Sequence, residues 1–119
     1  MATKTLLTTV VNGEPSGNYD GSSQDWFSNA VNAAGYYHGR SGVQTVGFSV
    51  TGFTGTITIE ATLDSDPDTA AWFDALAYGD ASSVTTQSIS ESVVGNFTWL
   101  RARVQTFDAG TINLVTATY

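Results

Sequence analysis

Val46-Gly47-Phe48-Ser49-Val50-Thr51-Gly52-Phe53-Thr54-Gly55-Thr56-Ile57-Thr58-Ile59 has an echo later in the chain, Leu100-Arg101-Ala102-Arg103-Val104-Gln105-Thr106-Phe107-Asp108-Ala109-Gly110-Thr111-Ile112-Asn113-Leu114. Each holds an alternating run, a Phe, a short Gly-containing break and a Thr-Ile run. Apolar residues at every second position give a strand one buried face and one wet face. Residues 43–63 and 97–119 therefore read as two copies of one hairpin, each turning at its glycines. Two such hairpins stacked face to face would make the core of a β-sandwich. On this reading Val46, Phe48 and Val50 share a face. Ile57, Ile59, Ala61 and Leu63 point inward, and Thr56, Thr58, Glu60 and Thr62 point to water.

The remaining chain fits the same class. Residues 3–11 read as a first strand, and residues 12–18 as a loop with Asn-Gly and Pro turn chemistry. Residues 19–32 suit a short helix or a strand, and residues 70–77 a helical turn or a strand. Residues 35–42 are a Gly-bracketed short strand or loop. Residues 82–90 are polar and Thr-rich, as an edge strand would be. About eight antiparallel strands at this spacing predict a single all-β domain over residues 1–119, a jelly-roll-like sandwich.

Composition narrows the function. The chain has 119 residues, no Cys, and a net charge of −7 from 11 acidic and 4 basic residues. Without Cys there is neither a disulfide framework nor a thiolate metal site. The acidic balance argues against nucleic acid and against anionic membrane surfaces. Residues 6–11 are too short and too Thr-interrupted for a signal peptide, and no stretch approaches the ~20 apolar residues of a membrane span. A soluble protein made in a cytosol is expected.

Four clusters could carry chemistry. Asp64, Asp66 and Asp68 alternate as in a calcium loop, but Thr69 and Ala75 stand where an EF-hand needs Gly and Glu. A solvated turn, with Asp side chains accepting backbone N–H groups, is the expectation. His38 is the only histidine, and no nucleophile-elbow motif accompanies it. An exposed loop histidine, with no metal and no cofactor, is expected. Tyr36, Tyr37, His38 and Arg40 form an aromatic-basic group, read as a protein contact patch, a sugar-stacking platform or ordinary packing at a sheet edge. Arg101 and Arg103 share a strand face with Trp99. An internal ion pair with Glu60 or another acidic residue on a neighbouring strand is favoured over a pair between subunits. Asn96-Phe97-Thr98 matches a glycosylation sequon but is discounted without a secretory leader.

Residues 49–64 followed by Trp72-Phe73, then Gly95-Asn96-Phe97-Thr98-Trp99-Leu100-Arg101-Ala102-Arg103-Val104 and Ala109-Gly110-Thr111-Ile112-Asn113, resemble small β-sandwich virion proteins of tailed bacteriophages, of the marine and cyanobacterial kind. The same pattern is more distantly similar to galactose-binding-like sandwiches. The resemblance implies a non-enzymatic virion structural protein, assembled in the host bacterial cytoplasm. A capsid decoration or cement protein is expected, partnered by the major capsid protein and by further copies of itself. The alternative is a carbohydrate-binding module of a tail or fibre, using Tyr36, Tyr37, Trp72 and the acidic loop.

Overall fold

The computed structural model describes residues 2–37 and 42–119, and in it neither repeated segment is a hairpin. Each is one long strand. The strands are β1 (Thr3–Leu7), β2 (Val10–Val11), β3 (Trp26–Phe27), β4 (Val31–Asn32), β5 (Val43–Thr62), β6 (Phe73–Val94) and β7 (Trp99–Thr118). A 3₁₀ turn, Ala34–Tyr37, precedes β5. All seven strands belong to one antiparallel sheet of order β1-β7-β5-β6, with β2, β3 and β4 also pairing β7. The all-β reading holds. Among the described residues there are seven strands in one hydrogen-bonded sheet, rather than about eight in stacked hairpins.

The glycine breaks are bulges, which explains the misreading. A hairpin would pair residues 43–51 with 54–63. Instead β5 pairs along its whole length with both neighbours, Val46 with Glu91 and Ala117, and Ile59 with Leu76 and Ala102. Register slips between Val50 and Phe53 and again between Phe53 and Gly55. A bulge inserts an extra residue and bends the strand without reversing it. Buried parity switches there: Gln44, Val46, Phe48 and Val50 are buried before the break, and Phe53, Ile57, Ile59 and Ala61 after it. Gly110 marks the matching break in β7, at φ 88°. A Cβ there would sit 2.2 Å from the Gly52 carbonyl oxygen, so only glycine lets the two breaks nest.

The bends fold the sheet over on itself. A straight strand of this length would run roughly 65 Å, yet the longest extent of the molecule is 39 Å. The two ends of β5 converge. Gly95 N–H donates to Gly42 O at 2.6 Å and Thr98 N–H donates to Thr62 O at 2.9 Å. Only three peptide steps, at most ~10 Å of chain, separate those donors. Gln44 closes the seam. Its buried amide accepts from Ala34 N–H at 3.1 Å and donates to Val93 O at 2.9 Å. A buried amide with both ends satisfied rigidifies what it joins.

Phe53 and Phe107 fill the fold beneath the breaks, with Tyr19 and Trp26 ringed around Phe107 at centroid distances of 5.2 and 6.2 Å. The first third contributes chiefly short pieces against β7. The strand expected over residues 3–11 is split in two, and the ambiguous segment 19–32 forms β3 and β4 rather than a helix. Residues 73–77 begin β6, so the strand alternative holds there. Residues 82–90 lie in β6, an edge strand as expected.

Two short segments, one in the loop before β3 and one at the break within β6, repeat one device. Asp20-Gly21-Ser22-Ser23 and Asp80-Ala81-Ser82-Ser83 share the pattern Asp-x-Ser-Ser. In each the Asp accepts the N–H of the residue two positions on, at 2.9 and 2.8 Å, and both Ser hydroxyls. These bonds favour the ionised form. They hold the Asp20 carboxyl down at about 2 and Asp80 below the usual carboxylate range, with the Ser22 and Ser82 N–H groups as the leading causes.

Candidate functional site

The converging ends of β5 collect the side chains that could meet a partner. The outward face of residues 58–62 was expected to be wet, but Thr58, Glu60 and Thr62 are all buried. Long side chains of β7 seal them. Glu60 pairs with Arg101 in register, and Thr58 with Arg103. The Glu60 carboxylate accepts from Arg101 Nε at 2.6 Å and from Arg103 at 2.8 Å. Arg103 also reaches Asp74 at 3.3 Å. Two guanidinium groups thus face two carboxylates, and the favoured internal ion pair is present.

Aromatic rings extend this layer. The Arg101 guanidinium carbon lies 4.4 Å from the ring centroids of both Phe27 and Trp72. A cation between two aromatic faces is favourable on both sides. Phe27 is delivered by β3, which pairs with β7 opposite Arg103. Trp72 comes from the loop before β6. Its face toward Arg101 is therefore in use inside the chain.

The acidic loop is tied to the same end. Trp99 indole N–H donates to Ser65 O at 3.0 Å, and the Thr98 hydroxyl donates to the carbonyls of Thr62 and Asp64. The Asp64 carboxylate accepts Ala71 N–H at 2.7 Å and Asp66 accepts Asp68 N–H at 2.9 Å. That is the turn chemistry expected of them. Among the described residues no group of three or more acidic or histidine side chains could hold a metal ion.

Of the candidate contact residues, Tyr36 lies at this end, its ring packed edge-on against Trp99 at 5.3 Å. Tyr37 ends the 3₁₀ turn beside it. His38 and Arg40 fall outside the described residues. The structure adds residues the pattern did not suggest. Leu63, expected inward, is 63% exposed because β5 stops one residue earlier. Phe73 is exposed and packs on Phe97, whose ring lies 5.5 Å away. Val43 and Val94, ladder partners on β5 and β6, are exposed too. Among the described residues, the exposed large apolar side chains away from this end are Val84 and Leu114. The signal for Leu63 was the Asp-Ser-Asp-Pro turn directly after it. Nothing in the sequence marks Phe27.

Away from this end, a concavity of about 280 Å³ lies between β1 and β3, lined by Leu6, Leu7, Trp26, Asn18 and Ser28 among others. It holds no titratable side chain. The chain has no helix long and apolar enough to cross a membrane among the described residues. Comparison with family models, curated proteins and solved structures returns no match for this chain.

Proposed function

We propose that this protein is a non-enzymatic assembly module, a structural protein of a phage particle, which docks onto a neighbouring protein through the aromatic end. One observation carries the docking: Tyr36, Val43, Leu63, Phe73, Val94 and Phe27 are exposed around a single end. Isolated exposed apolar residues are ordinary, but their concentration in one region marks an interaction surface. Tyr, Trp and Arg suit such a surface, and the chain carries a single Lys, a residue that interfaces avoid. The virion assignment rests on the sequence resemblance. Within it, capsid decoration is the preferred role, with the major capsid protein as partner, further copies of this chain beside it, and the virion as its location.

The sugar-binding alternative has less support. It needs Trp72 and the acidic loop, but Trp72 stacks on Arg101, and Asp64 and Asp66 already accept backbone N–H groups. Co-sedimentation with phage particles tests the docking role. The parent chain should bind at fixed stoichiometry. Leu63→Ser/Phe73→Ser, with unchanged circular dichroism, should lose binding by at least about tenfold. Parent-like binding by the variant would place the contact elsewhere. Binding to a glycan array with none to particles would favour the sugar reading.

A further inference from the structure

The edge of the sheet points to a second copy of this chain. Strand β6 ends the order β1-β7-β5-β6, and among the described residues no strand pairs with its far side. A free edge is a row of unpaired N–H and C=O groups, ready to accept another strand. Proteins block such edges with Lys, Pro, bulges or short strands. Residues 73–94 contain no Lys, Arg or Pro. A break between Asp80 and Thr85 guards the middle of β6. Beyond it, Gln87 to Val94 pair with Val50 to Val43 without a slip. This arm is long and free of bulges along its pairing with β5, and Glu91 is its one charged residue.

The arm has two distinct faces. Ser88, Ser90 and Ser92 stand beside Ser49, Gly47 and Thr45 on the outer face, where Ser88 bonds Ser49 at 2.9 Å and Ser92 bonds Thr45 at 3.2 Å. Gln87, Ile89, Glu91 and Val93 share the core side, opposite Val50, Phe48, Val46 and Gln44. A partner that extends the sheet must keep core side with core side, which fixes the parity of the register.

We propose that two copies pair antiparallel along this arm, with Ile89 on the two-fold axis. Ile89 then opposes Ile89 of the second copy. Ser88 opposes Ser90, and Thr86 opposes Ser92. Gln87 opposes Glu91, so the one charge meets an amide rather than its own kind. Gln87 Oε1 already accepts from the Tyr78 hydroxyl at 3.1 Å, which turns its N–H₂ toward the donor role that a carboxylate needs. Apolar, hydroxyl and amide–carboxylate pairs are all favourable cross-strand neighbours. The arm is complementary to itself, and that singles out a second copy rather than a foreign strand. Closed two-fold pairing uses up the β6 edge of both copies, so along this edge the assembly stops at a dimer.

The pairing deepens the homo-oligomer part of the proposed function and is separable from docking onto particles. The chain has no Cys, so Ile89→Cys supplies a sole thiol. Opposed residues in an antiparallel pair have Cα atoms ~4.5–5.5 Å apart, within disulfide reach. Mild oxidation should give a covalent dimer at least about tenfold faster than for Val84→Cys, an exposed residue in the break. In sedimentation equilibrium the parent should dimerise. Ser88→Lys/Ser90→Lys, which opposes Lys to Lys, should weaken that dimer by about 100-fold or more with circular dichroism unchanged. A monomeric parent, a dimer indifferent to the double Lys variant, or Ile89→Cys coupling no faster than Val84→Cys would each overturn the proposal. A monomeric parent that still binds particles would leave the docking role standing.

Discussion

The two arms of β5 share an inner face and differ in their outer one. In residues 43–50 the outer side chains are Thr45, Gly47 and Ser49, small hydroxyls or none, left open to water. In residues 56–62 they are Thr56, Thr58, Glu60 and Thr62, and the last three are buried under Arg101, Arg103 and their aromatic neighbours. The difference lies on β7. Opposite Thr45 and Gly47 it presents Thr118 and Thr116, whereas opposite Glu60 and Thr58 it presents Arg101 and Arg103. Long guanidinium stems cover apolar surface while their heads find charge. Alternation thus tells which side of a strand meets the core. It does not tell whether the other side is covered.

The inner faces should respond alike and most strongly. Phe48→Ala and Ile59→Ala each empty a fully enclosed site, one per arm. Costs of about 3–5 and 2–5 kcal/mol are expected from chemical denaturation. A cost under about 1 kcal/mol for either would mean that its arm is not part of the shared core.

The outer faces should then separate the arms. Glu60→Ala leaves two guanidinium groups without their buried carboxylate. Breaking a buried pair costs about 3–5 kcal/mol, but both Arg side chains keep 25% exposure, so about 2 kcal/mol is expected. Its counterpart Ser49→Ala loses one hydroxyl contact to Ser88 at the surface and should stay within about 0.5 kcal/mol. Equal costs, measured in the same denaturant series, would erase the difference between the two faces.

The smallest effect is expected from the paired Asp-x-Ser-Ser segments. The folded state holds Asp20 at about 2, below its unfolded value. A depressed carboxyl contributes stability that is present above the unfolded pKa, ~3.9, and is lost as pH falls through the folded one. The Tm difference between the parent and Asp20→Asn should therefore shrink as pH drops from 4 toward 2. A difference that stays constant over that window would show that ionised Asp20 contributes nothing to its loop.

Much of this was legible and some was not, for physical reasons. The alternation of Val46, Phe48 and Val50 and of Ile57 and Ile59 gave strands with the right core faces. Gln44 has the same parity and was equally readable as buried, but its polarity hid it. The Gly breaks misled because Gly serves a reversing turn and a bulge equally well, and only pairing partners far along the chain distinguish them. The Glu60 ion pair was readable from charge and alternation together. The exposed end was not, since it exists only because residues 42 and 62 are brought together by a bend. Tyr36 was singled out from its composition alone, and the structure places it at that end beside Trp99.

That bend carries the whole account, and backbone contacts measured by nuclear magnetic resonance test it most directly. The folded sheet predicts cross-strand Hα and N–H contacts of Val46 with Ala117 and of Ile59 with Ala102, and of Val43 with Val94. Backbone contacts pairing residues 43–51 directly with 54–63 would restore the hairpins and contradict it.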